Sequence, residues 1–190
     1  TVEFFEPEIA KRVAAKTNYR IKWIEAYGGT VAKLAEALGA TQVGLLDVCV
    51  GAFGFEPAKL FLMNMSYYIP FSSQDPLVVA KAGRQSMLEY KDVYEKLWKK
   101  YNAKFLALAP TGTNELITRF PVNKTSDLKG HKIAAAGPNL TLLKGTGATP
   151  VQSNLNEAYT AMQTGVYDGW IIWPDASYRF KLHEVGKYFT

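Results

Sequence analysis

The chain has 190 residues, 48% of them apolar and 21% charged, a composition that excludes intrinsic disorder and collagen-like structure and fits one large domain or two small lobes. No run approaches the ~20 consecutive apolar residues of a membrane helix; the most apolar stretch, 44–55, is broken by Asp47 and by glycines. The net charge of +5 is spread evenly, with 14 basic against 11 acidic residues before Pro110 and 8 against 6 after it. Nucleic-acid binders concentrate their bases, whereas the densest cluster here, 96–104, reads as the solvated end of an amphipathic helix, so no nucleic-acid partner is expected.

In chain order, Phe5, Ile9 and Val13 with Ala10 and Ala14 recur at helical spacing until Asn18. A strand is expected over 20–27, then a turn at Gly28-Gly29, a helix over 31–38 and a strand over 45–50. After an aromatic loop, 53–71, the residues Val79, Ala82, Met87, Tyr90, Val93, Tyr94, Leu97 and Trp98 predict a long amphipathic helix over 76–101, interrupted near Gly83. The apolar run 104–109 reads as a buried strand. The second half repeats the alternation with shorter elements: strands at 115–118, 132–136, near Val151 and 168–173, and helices at 140–144, 155–164 and 175–183. Asn154 with Glu157 suggests a capping box, and Gly165 a helix stop. Alternating helices and strands predict the α/β class with a parallel sheet. An opening helix without a strand before it, and an apolar end at Tyr188-Phe189-Thr190, lead us to expect further segments at both ends.

Catalytic and metal chemistry find little support. Cys49 lies between valines and reads as a buried small side chain; it has no cysteine to pair with. His131 and His183 have no ligand-type residue at metal spacing, so no metal site is expected. The glycines of 145–150 follow a helix and precede Pro150, which is a C-cap and turn rather than a phosphate loop. No Gly-x-Ser-x-Gly elbow occurs, and Asp168 and Asp175 read as a turn residue and a helix cap. The three glycosylation-like triplets at Asn64, Asn123 and Asn139 are short enough to arise by chance. An enzyme is therefore not expected, nor a cofactor. What stands out is aromatic residues where strands should end: Phe53 and Phe55, Tyr67 and Tyr68, Trp170 and Trp173. In open α/β sheets ligands bind outside the carboxyl ends of strands, where such rings can line a cleft.

Three blocks carry a family resemblance: Ser126-Asp-Leu-Lys-Gly-His-Lys-Ile133, Gly147-Ala-Thr-Pro-Val151, and Asn156-Glu-Ala-Tyr-Thr-Ala-Met-Gln-Thr-Gly-Val-Tyr-Asp-Gly169. With Gly44-Leu-Leu-Asp-Val48, Tyr68-Ile-Pro-Phe71 and 183–190, they closely resemble the solute-binding proteins of tripartite ATP-independent periplasmic (TRAP) transporters, the DctP-like family. The resemblance covers nearly the whole chain. It implies a two-lobed periplasmic binding protein fold with a hinge and an interlobe cleft, here a partial chain. The first lobe would run over 1–110, without its opening strand and returning segments, and a nearly complete second lobe over 111–190. It implies no chemistry, but capture of a small organic ligand in the periplasm and delivery to the TRAP membrane permease subunits; a ligand-sensing domain of the same fold is the alternative.

The strand-end aromatics and that template together give the expected ligand-binding positions Phe53, Tyr68, Asn114, Ala134, Asn139, Leu155, Trp170 and Trp173. One departs from the pattern. The resemblance implies an arginine directly after Lys-Ile that clamps a substrate carboxylate, and here that position is Ala134. A buried carboxylate without donors costs several kcal/mol, roughly, so the ligand is expected to be aromatic or weakly anionic, or its charge to be met by Arg119, Lys144 or Arg179.

Overall fold

In the computed structural model, residues 2–69, 73–108 and 112–190 are described. The expected lobe boundary at 110/111 and the Pro70-Phe71 part of the motif beginning at Tyr68 lie outside them. Internal contacts divide the chain into two compact units, Thr1–Val31 and Ala32–Thr190. In the first, helix α1 (Phe5–Lys16) forms as its spacing predicts. The segment 20–27 is not a strand: Phe5 packs its ring on Trp23, centroids 6.1 Å apart, and the Tyr27 hydroxyl donates to the buried Glu6.

In the second unit, α2 (Ala37–Gln42) starts later than expected, and 45–50 and 104–108 have no ladder. Apolar runs become strands only where a neighbour supplies hydrogen bonds, and none of the described segments pairs with them. Cys49 is half-buried rather than buried. The long helix divides into α3 (Pro76–Glu89), capped by the Asp75 carboxylate accepting from Leu77 N, and α4 (Lys91–Lys100). The break falls at Tyr90 and not at Gly83, whose missing side chain instead admits Leu108: a Cβ there would stand 2.9 Å from its Cδ2.

Among the described residues all strands come from the second half: β1 (Glu115–Thr118), β2 (Lys132–Ala135), β3 (Thr149–Gln152), β4 (Gly169–Ile172) and β5 (Tyr188–Phe189), in the order β3-β2-β4-β1-β5. The three strands β3, β2 and β4 run parallel, while β1 is antiparallel to β4 and β5. Gly169 permits the closest approach, since a Cβ there would lie 2.6 Å from Thr118 Cγ2 and 2.8 Å from Ile117 O. Alternation along the strands sends side chains to two cores. Ala134, Trp170 and Ile172 join Ile117, with Leu155, Ala158 and Met162 of α5 (Leu155–Gln163) and Leu182 of α7 (Leu182–Val185). Ile133, Ala135 and Ile171 join Leu128 and Leu143 on the other face.

Helix α5 begins where expected, with a side-chain N-cap but without the capping box. The Asn154 side chain accepts from Asn156 N at 3.1 Å, whereas Glu157 faces Lys33 across the surface. The expected helix 140–144 is a 3-10 segment, Gly137–Leu143, and the last helix divides into α6 (Pro174–Arg179) and α7. Asp168 fastens two strand ends: its carboxylate accepts from Lys132 N at 3.0 Å and faces His131 Nδ1 at 3.3 Å.

Trp170 is 1% exposed and sits at the centre of the larger core. Trp170→Ala is expected to lower unfolding stability by about 3–5 kcal/mol, read as an earlier midpoint in urea.

Candidate functional site at the carboxyl ends of the parallel strands

The strand order defines one crevice. From β2 the chain moves to β3 on one side, and from β4 it moves past β1 to β5 on the other, while β2 and β4 are parallel neighbours. Ligand sites in open α/β sheets form where connections part in this way. The loop after β2 is the 3-10 segment Gly137–Leu143, bearing Asn139; the residue after β4 is Trp173; and Asn114 stands just before β1, whose first residue is level with Ile172. These side chains are therefore gathered at one end of the sheet. The carboxamide nitrogen of Asn139 donates to Asn114 Oδ1 at 3.1 Å.

Segments from the first half close on this end. Two 3-10 turns, Phe53–Phe55 and Phe61–Tyr68, pack on each other and on Gly137–Leu143. Gly137 marks the contact, since a Cβ there would lie 3.1 Å from Pro57 Cγ, 3.6 Å from Gly54 O and 3.7 Å from Gln152 Oε1. Asn64, fully buried, ties the turns together by donating to Phe53 O at 3.0 Å and Leu60 O at 2.8 Å. Beside them a surface hollow of about 240 Å³ is lined by Ala35, Phe55, Glu56, Pro57, Ala58 and Lys59. Within it the Glu56 carboxylate accepts from Lys59 Nζ at 2.7 Å.

The eight positions expected at the site separate into groups. Ala134, Leu155 and Trp170 are buried in the larger core, with Trp173 packed against it half-buried. Asn114 and Asn139 form the amide pair. Phe53 joins another cluster with Leu38, Leu60 and Tyr101, its ring 6.4 Å from Trp98 and 6.5 Å from Phe105. Tyr68 is exposed and lies 5.5 Å from Phe61. Sequence reasoning overlooked Gly54, Pro57, Asn64, Gly137 and Gln152. Gly54 and Gly137 carried a signal, glycine between aromatic or apolar neighbours, but nothing in it indicates which turn meets which; Pro57, Asn64 and Gln152 carried none.

The chemistry gathered here is that of binding. Burial raises the Tyr67 phenol above its ordinary pKa; it also raises Tyr167, against the lowering effect of the bond with Ser153 Oγ. Both phenols therefore stay protonated at physiological pH. Among the described residues no cluster of three or more metal-ligating side chains occurs, and no helix is long and apolar enough to cross a membrane.

Register explains the alanine at position 134. Ala134 is level with Trp170 on the adjacent strand and has no exposed surface, so the indole lies beside the smallest side chain available. A long cation at position 134 would have to displace the indole or be buried without a partner. Ala134→Arg is thus expected to destabilise the protein by on the order of 3–5 kcal/mol, the cost of an uncompensated buried charge, rather than create a carboxylate clamp. Denaturant unfolding, with glucuronate titrated into the variant, checks both halves of that statement.

Comparison with known proteins accords with this geometry. Residues 5–190 match the family described as bacterial extracellular solute-binding protein, family 7 (DctP). The ectoine/5-hydroxyectoine-binding periplasmic protein UehA of Ruegeria pomeroyi is 28% identical over 167 residues, covering 85% of this chain and 48% of that protein. A marine metagenome TRAP solute-binding protein specific for aromatic acid ligands, in complex with 3-hydroxybenzoate, superposes with a TM-score of 0.79 at 25% identity, covering 98% of this chain and 57% of its own. A TRAP periplasmic solute-binding protein from Chromohalobacter salexigens with bound D-glucuronate gives the same TM-score, 0.79, at 20% identity, covering 97% of this chain and 61% of the other. The chain thus spans about half the length of the curated relative and about three-fifths of these structures. The α/β fold is that of the TRAP periplasmic binding proteins, and the chain belongs to the family 7 (DctP) bacterial extracellular solute-binding proteins.

Proposed function

We propose that the protein captures a small organic ligand in the periplasm and delivers it to the membrane subunits of a TRAP transporter. In this reading 1–110 and 111–190 act as two lobes, and a ligand touching both stabilises the closed arrangement by its differential contacts. The observation that carries it is the meeting of the first-half turns, 53–68, with the loop that follows β2, at the carboxyl ends of the parallel strands. Polar and aromatic side chains gather there, as binding requires. The alanine beneath Trp170 favours a ligand that is aromatic or weakly anionic over a simple dicarboxylate.

The test is calorimetric titration of the full-length protein with a panel of ectoines, hydroxybenzoates, uronates and dicarboxylates, together with thermal unfolding. One-site binding is expected, with a stabilisation of about 2.7 kcal/mol when ligand exceeds its dissociation constant a hundredfold. Failure of every member of the panel to raise the unfolding temperature would sink the proposal. Tight binding of dicarboxylates alone would overturn its ligand class.

A further inference from the structure

Two carboxamide oxygens at the switch point are buried without a partner among the described residues. Asn64 uses its amide nitrogen twice, on Phe53 O and Leu60 O. Both partners are carbonyls, so turning the amide round would set oxygen against oxygen. Its Oδ1 is therefore the free end, buried and without a hydrogen-bond partner among the described residues. Asn139, 2% exposed, donates through Nδ2 to the carboxamide oxygen of Asn114, which leaves its Oδ1 buried without a partner among the described residues. The segments bearing these two oxygens pack on each other, and at Gly137, in the segment that carries Asn139, Gly54 O and Gln152 Oε1 stand 3.6 and 3.7 Å from the vacant Cβ position. The neighbouring cation, Lys59, is paired with Glu56.

Buried acceptors that find no donor are costly, and sites built to hydrogen-bond a ligand reject analogues lacking the matching group. Resting on the reading of this place as the ligand site, we propose that Asn139, supported by Asn64, receives the N–H or O–H donor end of the ligand. The class selected is small amidines, amines or hydroxyl-bearing molecules, in preference to carboxylates without donors. A donor placed there makes the hydrogen bonds that the chain leaves unmade, and a carboxylate would meet oxygen with oxygen.

The experiment measures ectoine, 3-hydroxybenzoate and benzoate binding to the full-length protein by calorimetry and thermal shift, in the wild type, Asn139→Leu and Asn139→Asp. Ectoine supplies amidinium N–H donors, and the two benzoates differ by a single hydroxyl. Wild type is expected to bind the donor-bearing probes at least about tenfold more tightly than benzoate. Asn139→Leu should lose that preference, whereas Asn139→Asp, which keeps the acceptor, should retain it. If the leucine variant unfolds early, the aspartate variant decides: retention supports the assignment and loss overturns it. Equal binding of benzoate by wild type, or an unchanged preference in Asn139→Leu, overturns the assignment while leaving ligand capture intact. No response to any of the three probes overturns this assignment, and the broader panel above then decides ligand capture separately.

Discussion

The pairing of Ala134 with Trp170 across β2 and β4 is the constraint on which the rest of this structure depends. Two parallel strands buried on both faces leave no freedom in side-chain volume, because interiors are packed to crystal density. A methyl on one strand makes room for an indole on the next, and the indole in turn orders Leu155, Ala158 and Met162 of the helix above.

Around that core, the sheet's connections place chemistry at one end without any single element specifying it. The loop after β2 and the residue after β4 diverge, Asn114 enters from the antiparallel strand, and the first-half turns close over the gap. Strand ends are good positions for recognition, since the sheet holds them rigid while their side chains project beyond it. The amide pair of Asn114 and Asn139 illustrates this: residues 25 apart in sequence come to 3.1 Å from the ends of β1 and β2, two strands that flank β4.

The first half of the chain behaves differently. Residues 32–108 form helices and 3-10 turns, without a strand among those described, and leave Val43, Leu45, Val50, Leu77, Leu88 and Leu106 exposed. Aromatic stacking compensates locally: Trp98 and Phe105 lie 5.3 Å apart, nearly parallel, with Phe53 against both. Contacts of this kind stabilise a neighbourhood but do not replace a ladder of backbone hydrogen bonds.

What the sequence determined by itself was whatever depends on near neighbours. Helical spacing located α1, the start of α3 at Pro76, and α5, Asn154 marked a helix start, and short apolar runs between turn residues located β1, β2, β3 and β4 to within a residue or two. The blocks around 126–133 and 156–169 were sufficient to indicate the family. Tertiary structure decided what depends on partners far along the chain. Whether 20–27, 45–50 and 104–108 become strands rests on a neighbouring strand that local pattern cannot supply. Whether Trp170 faces a cleft or a core rests on the register that sets it beside Ala134. The roles of Asn64 and Gly137 arise only when two turns some seventy residues apart meet, because hydrogen-bond satisfaction and close approach are properties of the assembled packing and leave no periodic trace in the sequence.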